Sequence, residues 1–160
     1  MRKSLLIIEN TKALNYVLTT VLKKEYHVYT VRSYADAFYF LRYKPEIDLF
    51  LIDIPDDKSE NHLFLAHISS SSLFNRIPVI VLSDSDDSRL ADKTKSLGAS
   101  HFISMPFDPV SLSEKIKELI TEKEYKYMFM AGSRTRYFEK NGQHFQSRNY
   151  EYLKNNLKLS

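Results

Sequence analysis

Cysteine is absent from this chain of 160 residues, and glycine is scarce, with only three. The lack of cysteine excludes disulfides, thiol catalysis and metal sites with thiolate ligands. The scarcity of glycine excludes a glycine-rich loop that cradles phosphates. No apolar run is long enough for a signal-peptide core or a bilayer span, since the run near the N-terminus covers only residues 5–8. We therefore expect a cytoplasmic protein with no membrane segment.

The remaining composition is that of an ordinary globular protein, with 43% apolar and 27% charged residues. Charge is distributed unevenly along the chain. Residues 121–160 contain eight Lys and Arg against four Asp and Glu, so the net charge of +3 originates in the C-terminal quarter. A charge asymmetry of this kind favours an interaction segment. The sequence predicts a domain at residues 1–122 and a basic, aromatic-rich extension at residues 123–160.

Short apolar runs and helical periodicity alternate five times in the first domain. The runs predict strands, and the segments between and after them predict amphipathic helices. Ser33 is a candidate N-cap, and Gly98 is a candidate left-handed residue at a helix end. The predicted strands are 5–8, 27–31, 49–52, 79–82 and 101–103. The predicted helices are 11–24, 34–43, 60–69, 86–97 and a fifth that begins at 108 or 109. This alternation predicts a doubly wound α/β domain with a parallel sheet and helices on both faces.

Polar side chains follow four of the predicted strands, where the ligands of such sheets bind. Glu9 and Asn10 follow the first strand, Asp53 ends the third, Ser83 follows the fourth and Ser104 follows the fifth. Clustered carboxylates repel one another and attract a hard cation such as Mg²⁺. A carboxylate beside a bound cation can attack phosphorus, and a neighbouring hydroxyl can bind a phosphoryl oxygen. The constellation therefore indicates phosphoryl chemistry.

The segments LLIIEN, DLFLIDIP, IPVIVLSD and GASHFISMPF, in that order, resemble the conserved blocks of the response-regulator receiver domain over residues 3–120. The resemblance implies a flavodoxin-like sheet of order 2-1-3-4-5 and a signalling module of two-component systems rather than an enzyme. It also implies that Asp53 is the phospho-acceptor, that Glu9 belongs to an acidic metal site, that Ser83 is the switch hydroxyl and that Phe102 is the rotating aromatic.

Several positions depart from the receiver pattern. Met105 stands where the family has a lysine that neutralises phosphoryl charge, and a thioether has no charge to offer. Asn10 replaces the second acidic residue, Asp84 adds a negative charge, and Asp57 stands at the usual proline position. A Mg²⁺ site formed by Glu9, Asn10 and Asp53 is therefore expected to bind weakly or not at all. The departures predict a degenerate pseudo-receiver.

Structural roles compete with these functional ones. Asp53 can be a loop carboxylate or a helix cap, and Glu9 with Asn10 can cap the first helix, a role compatible with metal binding. Ser83 is as well suited to a turn as to a ligand. Without a working phosphorylation site, Phe102 belongs to the core.

The C-terminal extension carries eight of the 21 Phe and Tyr residues. We expect the fifth helix to continue to about residue 130, a β-hairpin with Asn141 and Gly142 at its turn, and a short helix within 150–159. The aromatics favour packing onto the domain or across a homodimer. The alternative is an anion-binding or nucleic-acid-binding surface. Its basic residues would be Arg134, Arg136, Lys140 and Arg148.

Three functions follow from the sequence. The first is a phosphorylation-independent interaction module that binds a signalling protein, either a histidine kinase or an output protein. The second is a working receiver that a histidine kinase phosphorylates at Asp53, with Mg²⁺ bound weakly. The third is nucleic-acid binding through the basic extension, with a steep salt dependence.

Overall fold

The computed structural model describes residues 2–43, 46–130, 137–140 and 143–146, with side chains described as far as residue 126. The chain divides into two compact units, residues 1–120 and 121–160. Each is described by itself below.

A five-stranded parallel sheet organises the first unit, with the strand order β2-β1-β3-β4-β5. The predicted doubly wound, flavodoxin-like sheet is therefore confirmed. The three central strands are almost wholly buried, whereas the edge strands β2 and β5 are half-buried. This difference explains why the second and fifth apolar runs of the sequence are more mixed. The strands are β1 (Ser4–Ile8), β2 (His27–Val31), β3 (Leu49–Asp53), β4 (Val79–Ser83) and β5 (His101–Ser104).

Helices cover both faces of the sheet. Alternate residues of the strands point to opposite faces, so each face has its own apolar cluster. One cluster contains buried side chains of α1 and α5, and the other contains buried side chains of α2, α3 and α4. The helices are α1 (Lys12–Leu22), α2 (Tyr34–Leu41), α3 (Asn61–Ser70), α4 (Ser88–Ser96) and α5 (Pro109–Met130).

Local signals place several of these helix ends. The Ser33 hydroxyl accepts a hydrogen bond from the Asp36 N–H, so the predicted N-cap of α2 is confirmed. The Asp108 carboxylate accepts from the Ser111 N–H at the start of α5. Gly98, just past α4, has a φ of 112°, which confirms the expected left-handed residue.

The apolar stripe of α1 is narrower than the sequence predicts. Leu18 and Leu22 are buried, but Ala13 and Val17 are exposed although they continue the same periodic pattern. The α1 residues that pack in the apolar cluster on this face are Leu14, Leu18, Val21 and Leu22, which form a single stripe along the helix.

In the second unit, β6 (Tyr137–Lys140) pairs antiparallel with β7 (Gln143–Gln146). Lys140 lies opposite Gln143 in this register, as a two-residue hairpin requires. The expected turn at 141–142 and the expected helix within 150–159 lie outside the described residues. Within the described part of the chain, no helix combines the length and the apolar character needed to cross a membrane.

Candidate functional site

The carboxyl ends of the parallel strands bring the candidate residues to one edge of the sheet. Asp53, the last residue of β3, pairs in register with Leu82, and Ser83, the last residue of β4, pairs with Ser104. Glu9 directly follows β1, the other neighbour of β3. The sheet order therefore places Glu9, after β1, and Ser83, at the end of β4, on either side of Asp53.

Glu9 is buried, with 1% of its surface exposed. One carboxylate oxygen accepts a hydrogen bond from the backbone N–H of Thr11, the N-cap residue of α1, whose own side chain makes no capping bond. The other oxygen, Oε2, is buried without a hydrogen-bond partner among the described residues. Asn10 is exposed. Glu9 thus supports the turn into α1, and its second carboxylate oxygen is left without a hydrogen bond among the described residues.

Asp53 is half-buried, and its environment opposes ionisation. Burial raises the pKa of its carboxyl from 3.8 to about 7, with further contributions from the negative charges of Glu9 and Asp84. All three causes act in the same direction. Its backbone carbonyl accepts a hydrogen bond of 2.6 Å from the Asn61 side chain at the start of α3. Near neutral pH, the carboxyl is therefore divided between its protonated and ionised forms.

Ser83 is fully buried. Its hydroxyl lies 3.4 Å from the carbonyl oxygen of Pro55, to which it donates, and it accepts a hydrogen bond from the Ser85 N–H at 3.2 Å. The second bond gives Ser83 the local turn role expected from its residue type. The first bond is long, so it holds the hydroxyl only weakly.

Met105 follows β5 at the same edge and is half-buried. Its backbone N–H donates to the carbonyl of Ser83 at 2.7 Å, and its bond to Pro106 is cis. The position that resembles the lysine of receivers therefore lies beside the end of β4 but contributes no charge. Phe102 lies three residues earlier, in β5, and packs against the apolar cluster of α2, α3 and α4.

The loop between β3 and α3 contains contacts that the sequence alone did not reveal. Asp57 forms an ion pair of 3.0 Å with Lys93 on α4. The imidazole Nε2 of His62 lies 3.1 Å from the carbonyl of Asp56, and its Nδ1 is buried without a partner among the described residues. The ion pair has no local sequence signal, because Asp57 and Lys93 are 36 residues apart and meet only in the folded domain.

The donor set offers Mg²⁺ two carboxylates and one uncharged group. Mg²⁺ usually binds through one or two carboxylates and keeps several waters, so Glu9 and Asp53 could hold it, but the amide of Asn10 adds no third charge and would leave the binding weak. Across residues 2–43 and 46–126, no group of three His, Asp or Glu is placed to hold a metal ion. If Mg²⁺ binds, the unpartnered oxygen of Glu9 and the carboxyl of Asp53 are its ligands.

The four candidate basic residues of the extension belong to the second unit. Lys140 lies in β6, where side chains are not described. Arg134, Arg136 and Arg148 fall outside the described residues, so the anion-binding and nucleic-acid-binding interpretations stay predictions.

Comparison with known proteins decides the family. A family model described as the response regulator receiver domain matches residues 5–117. The chain belongs to the response regulator receiver domain family. Receiver domains act in two-component signalling, so the resemblance inferred from the strand-end motifs is confirmed at the level of the family.

Individual relatives agree with this assignment. The response regulator PleD of Caulobacter vibrioides is 28% identical over 79 residues, which cover 49% of this chain and 17% of PleD. A protein of Pyropia yezoensis named "Probable transcriptional regulator ycf29" is 26% identical over 136 residues, which cover 84% of this chain and 61% of the relative. This receiver therefore spans less than two thirds of the length of these curated relatives.

A solved structure shows the same fold. The CheY-like response regulator receiver domain protein from Methanospirillum hungatei superimposes with a TM-score of 0.68 at 23% identity. The match covers 79% of this chain and 99% of that structure. At this level of identity, the likeness supports the receiver fold and carries no site residue across.

Proposed function

We propose that this receiver is a signalling module that binds a protein partner without phosphorylation of Asp53. One observation carries the proposal. Met105, whose backbone N–H donates to the Ser83 carbonyl at 2.7 Å, lies beside the end of β4 and brings no charge, while burial and the neighbouring carboxylates Glu9 and Asp84 raise the pKa of Asp53 to about 7. A site that resists one negative charge on Asp53 is poorly suited to receive a phosphoryl group that carries more.

The positive charge that is missing at position 105 has a large energetic effect on a phosphoryl group. Two unit charges about 4 Å apart attract by about 4 kcal/mol at an effective dielectric constant near 20. A lysine at position 105 would supply an attraction of that order to a phosphoryl group on Asp53, and Met105 supplies none. Asp84 adds repulsion instead. The rate constant of a reaction falls about tenfold for each 1.36 kcal/mol added to its barrier, so the loss of one such cation slows phosphoryl transfer severely.

The surface formed by α4, β5 and α5 supports a binding role. His101 on the edge strand β5 has its pKa lowered by burial, with further effects from Lys115 and Glu118 on α5 and from Lys95 on α4. Charged side chains of α4 and α5 therefore lie within electrostatic reach of this edge strand. Receiver domains interact with histidine kinases or with output proteins, and we propose this face as the contact surface for such a partner.

The test is a titration with Mg²⁺ and beryllofluoride, a phosphoryl analogue, followed through the amide NMR signals of Ser83, Phe102 and their neighbours. We expect no saturable change in the natural protein. The matched comparison is the double variant Asn10→Asp, Met105→Lys, which restores one carboxylate and one cation and should gain binding. A saturable response of the natural protein, equal to that of the double variant, would refute the proposal.

A working phospho-acceptor is the second candidate, and one observation favours it. Asp53 lies at the end of β3, where the receiver family has its phospho-acceptor. Ser83 ends the adjacent strand β4, and its hydroxyl makes only one long hydrogen bond as a donor, to the carbonyl of Pro55 at 3.4 Å. A beryllofluoride response that is lost in Asp53→Asn would favour this candidate over the first.

A further inference from the structure

The outer strand β2 has a free edge. The sheet ends at this strand, and among the described residues no other strand pairs with its outer side. The His27 N–H donates to the carbonyl of Lys3, so His27 and every second residue after it direct their backbone groups towards β1. The N–H and C=O groups of Val28 and Thr30 therefore point away from the sheet.

This edge lacks the features that usually prevent one strand from pairing with another. Exposed edges are commonly protected by lysine, by proline or by a short strand. The five residues of β2, HVYTV, include no Lys, Arg, Asp, Glu or Pro, and four of them are β-branched or aromatic. The opposite outer strand, β5, has only four residues and lies within electrostatic reach of Lys95 and Lys115. The edge of β2 is therefore the one suited to the addition of a strand.

Aromatic side chains of α2 extend the surface beside this edge. Phe40 contacts Tyr29 of β2, with ring centroids 5.0 Å apart, whereas Phe38 packs against α3. Phe40 therefore marks the side of α2 that faces β2. Tyr43 is three residues after Phe40 and four after Tyr39, so it neighbours both on the helix surface. Tyr39 and Tyr43 are 65% and 67% exposed, with ring centroids 5.4 Å apart. We call Tyr29, Tyr39, Phe40 and Tyr43 the aromatic face.

The area of this surface fits a small interface between two copies of the chain. A fully buried aromatic side chain contributes about 150–250 Å², so Tyr39 and Tyr43 at two-thirds exposure offer roughly 200–330 Å². With the outer side of β2 and the exposed parts of Tyr29 and Phe40, each copy would bury on the order of 500 Å². Two copies together reach about 1,000 Å², the lower limit for a specific interface. This area predicts a reversible dimer.

Charges at the two ends of β2 favour an antiparallel arrangement. Glu25 precedes the strand and Arg32 follows it, and both are exposed. In a two-fold antiparallel pair, Glu25 of one copy approaches Arg32 of the other, and the same contact occurs twice. Lys24 likewise approaches the start of the other α2, where Asp36 is exposed. An in-register parallel pair would instead place like charges side by side.

We propose that a second copy of this chain pairs with β2 edge to edge, antiparallel about a two-fold axis at Tyr29, and packs its aromatic face against that of the first copy. Because Val28 and Thr30 hold the free backbone groups, Val28 of one copy pairs with Thr30 of the other, and each such pair exchanges two N–H···O bonds. The inference goes beyond the proposed function and is independent of it, because β2 and α2 contribute no residue to the site around Asp53.

The first experiment is analytical ultracentrifugation of the full chain between about 5 μM and 1 mM. We expect a reversible monomer–dimer equilibrium with a midpoint on the order of 10–100 μM. Amide NMR over the same equilibrium locates the interface. The amide signals of Val28 and Thr30 should shift with concentration along the dimerisation curve, and in the dilute monomer both amides should exchange rapidly with water.

A charge on the edge tests the strand pairing. Thr30→Lys adds a lysine to the free edge through an exposed side chain, so it should weaken dimerisation by about tenfold or more. Thr20→Lys is the matched control, because Thr20 is an exposed threonine of α1. It should change the dimerisation constant by less than about twofold.

The aromatic face is tested in the same way. The double variant Tyr39→Ser, Tyr43→Ser removes two exposed rings and should weaken dimerisation by about tenfold. Tyr16→Ser is the control, because Tyr16 is 72% exposed on α1. Its dimerisation constant should stay within about twofold of that of the natural protein.

A charge exchange tests the antiparallel orientation. Glu25→Arg and Arg32→Glu should each weaken dimerisation by roughly threefold to tenfold, since each places like charges together at both ends of the interface. The double variant Glu25→Arg, Arg32→Glu should recover most of the affinity. A double variant no tighter than the single variants would contradict the antiparallel arrangement.

Three further results would overturn the inference. The first is a natural protein that remains monomeric at 1 mM. The second is self-association that Thr30→Lys and the Tyr39, Tyr43 double variant leave unchanged, which would place the interface elsewhere. The third is slow water exchange of the Val28 and Thr30 amides in the dilute monomer, which would mean that another segment of the same chain covers the edge. None of these results bears on whether Asp53 is phosphorylated.

Discussion

At the residue scale, the decisive feature of this receiver is the proximity of Glu9 to Asp53. Asp53 ends the central strand β3, and Glu9 directly follows the neighbouring strand β1. The pKa of Asp53 is raised to about 7 as a result. The proton that Asp53 gains on folding partly neutralises the site. The free energy of unfolding therefore falls as pH rises, whereas most carboxylates make it rise.

The pH dependence of stability gives the first prediction. The folded protein holds the Asp53 proton up to about pH 7, whereas the unfolded chain releases it near pH 3.8. This group's contribution to stability is therefore complete below the unfolded value and is lost as pH rises towards 7. Asp53→Asn should remove that dependence and raise the free energy of unfolding at neutral to alkaline pH by roughly 1–2 kcal/mol, because Asp53 is only half-buried and solvent screens part of the effect. Denaturant unfolding across this pH range measures both effects.

Asp56→Asn is the matched control for this prediction. Asp56 is exposed in the loop after β3, and its carboxylate only accepts from the Lys58 N–H. Its substitution should change stability by less than about 0.5 kcal/mol at any pH. Equal effects of the two substitutions would contradict the account of the site.

At the element scale, the joint between α4 and β5 depends on a single backbone conformation. Gly98 has a φ of 112°, and a Cβ atom there would lie 2.1 Å from the Ser69 hydroxyl on α3. Only glycine adopts this conformation readily. Gly98→Ala should therefore destabilise the domain by about 2–4 kcal/mol, through strain at the backbone and the clash with α3.

A double variant separates these two causes. Ser69→Gly removes the clashing side chain but leaves the φ angle unchanged. In that background, Gly98→Ala should lose about half of its effect, as a double-mutant cycle by denaturant unfolding would measure. An unchanged effect would mean that backbone strain alone is responsible.

Neighbouring residues of α3 give a prediction about the core. Phe64 is fully buried between the rings of Phe38 and Phe50, whereas Leu63 is 62% exposed. Phe64→Ala should lower the free energy of unfolding by about 3–5 kcal/mol because it leaves a cavity. Leu63→Ala on the same helix should lower it by less than about 0.5 kcal/mol. Similar losses in the two variants would contradict the packing of α3 described above.

These elements could be predicted to different degrees. The central strands and the caps at Ser33 and Gly98 carry strong local signals, so the sequence places them within a residue or two. The helix α3 carries a weak pattern, because it exposes Leu63 and buries His62. Local periodicity cannot predict that His62 is buried and Leu63 exposed, since burial depends on what packs against each face of the helix.

At the scale of the whole molecule, the sheet order explains how much of the site could be predicted. Parallel strands bring their carboxyl ends together, so the meeting of Glu9, Asp53, Ser83 and Met105 at one edge follows from the fold. The burial of Glu9, its unpartnered oxygen and the ion pair of Asp57 could not be predicted, because they depend on how loops distant in sequence pack. The role of the basic extension stays a prediction.

The most direct test of the central claim is the intact mass of the full chain after incubation with acetyl phosphate and Mg²⁺. Asp53→Asn serves as the negative control, and the double variant Asn10→Asp, Met105→Lys as the restored site. We predict no added phosphoryl group on the natural protein or on Asp53→Asn, and partial addition on the double variant. A phosphoryl group on the natural protein that is absent from Asp53→Asn would contradict the account and show that this receiver is a working phosphoswitch.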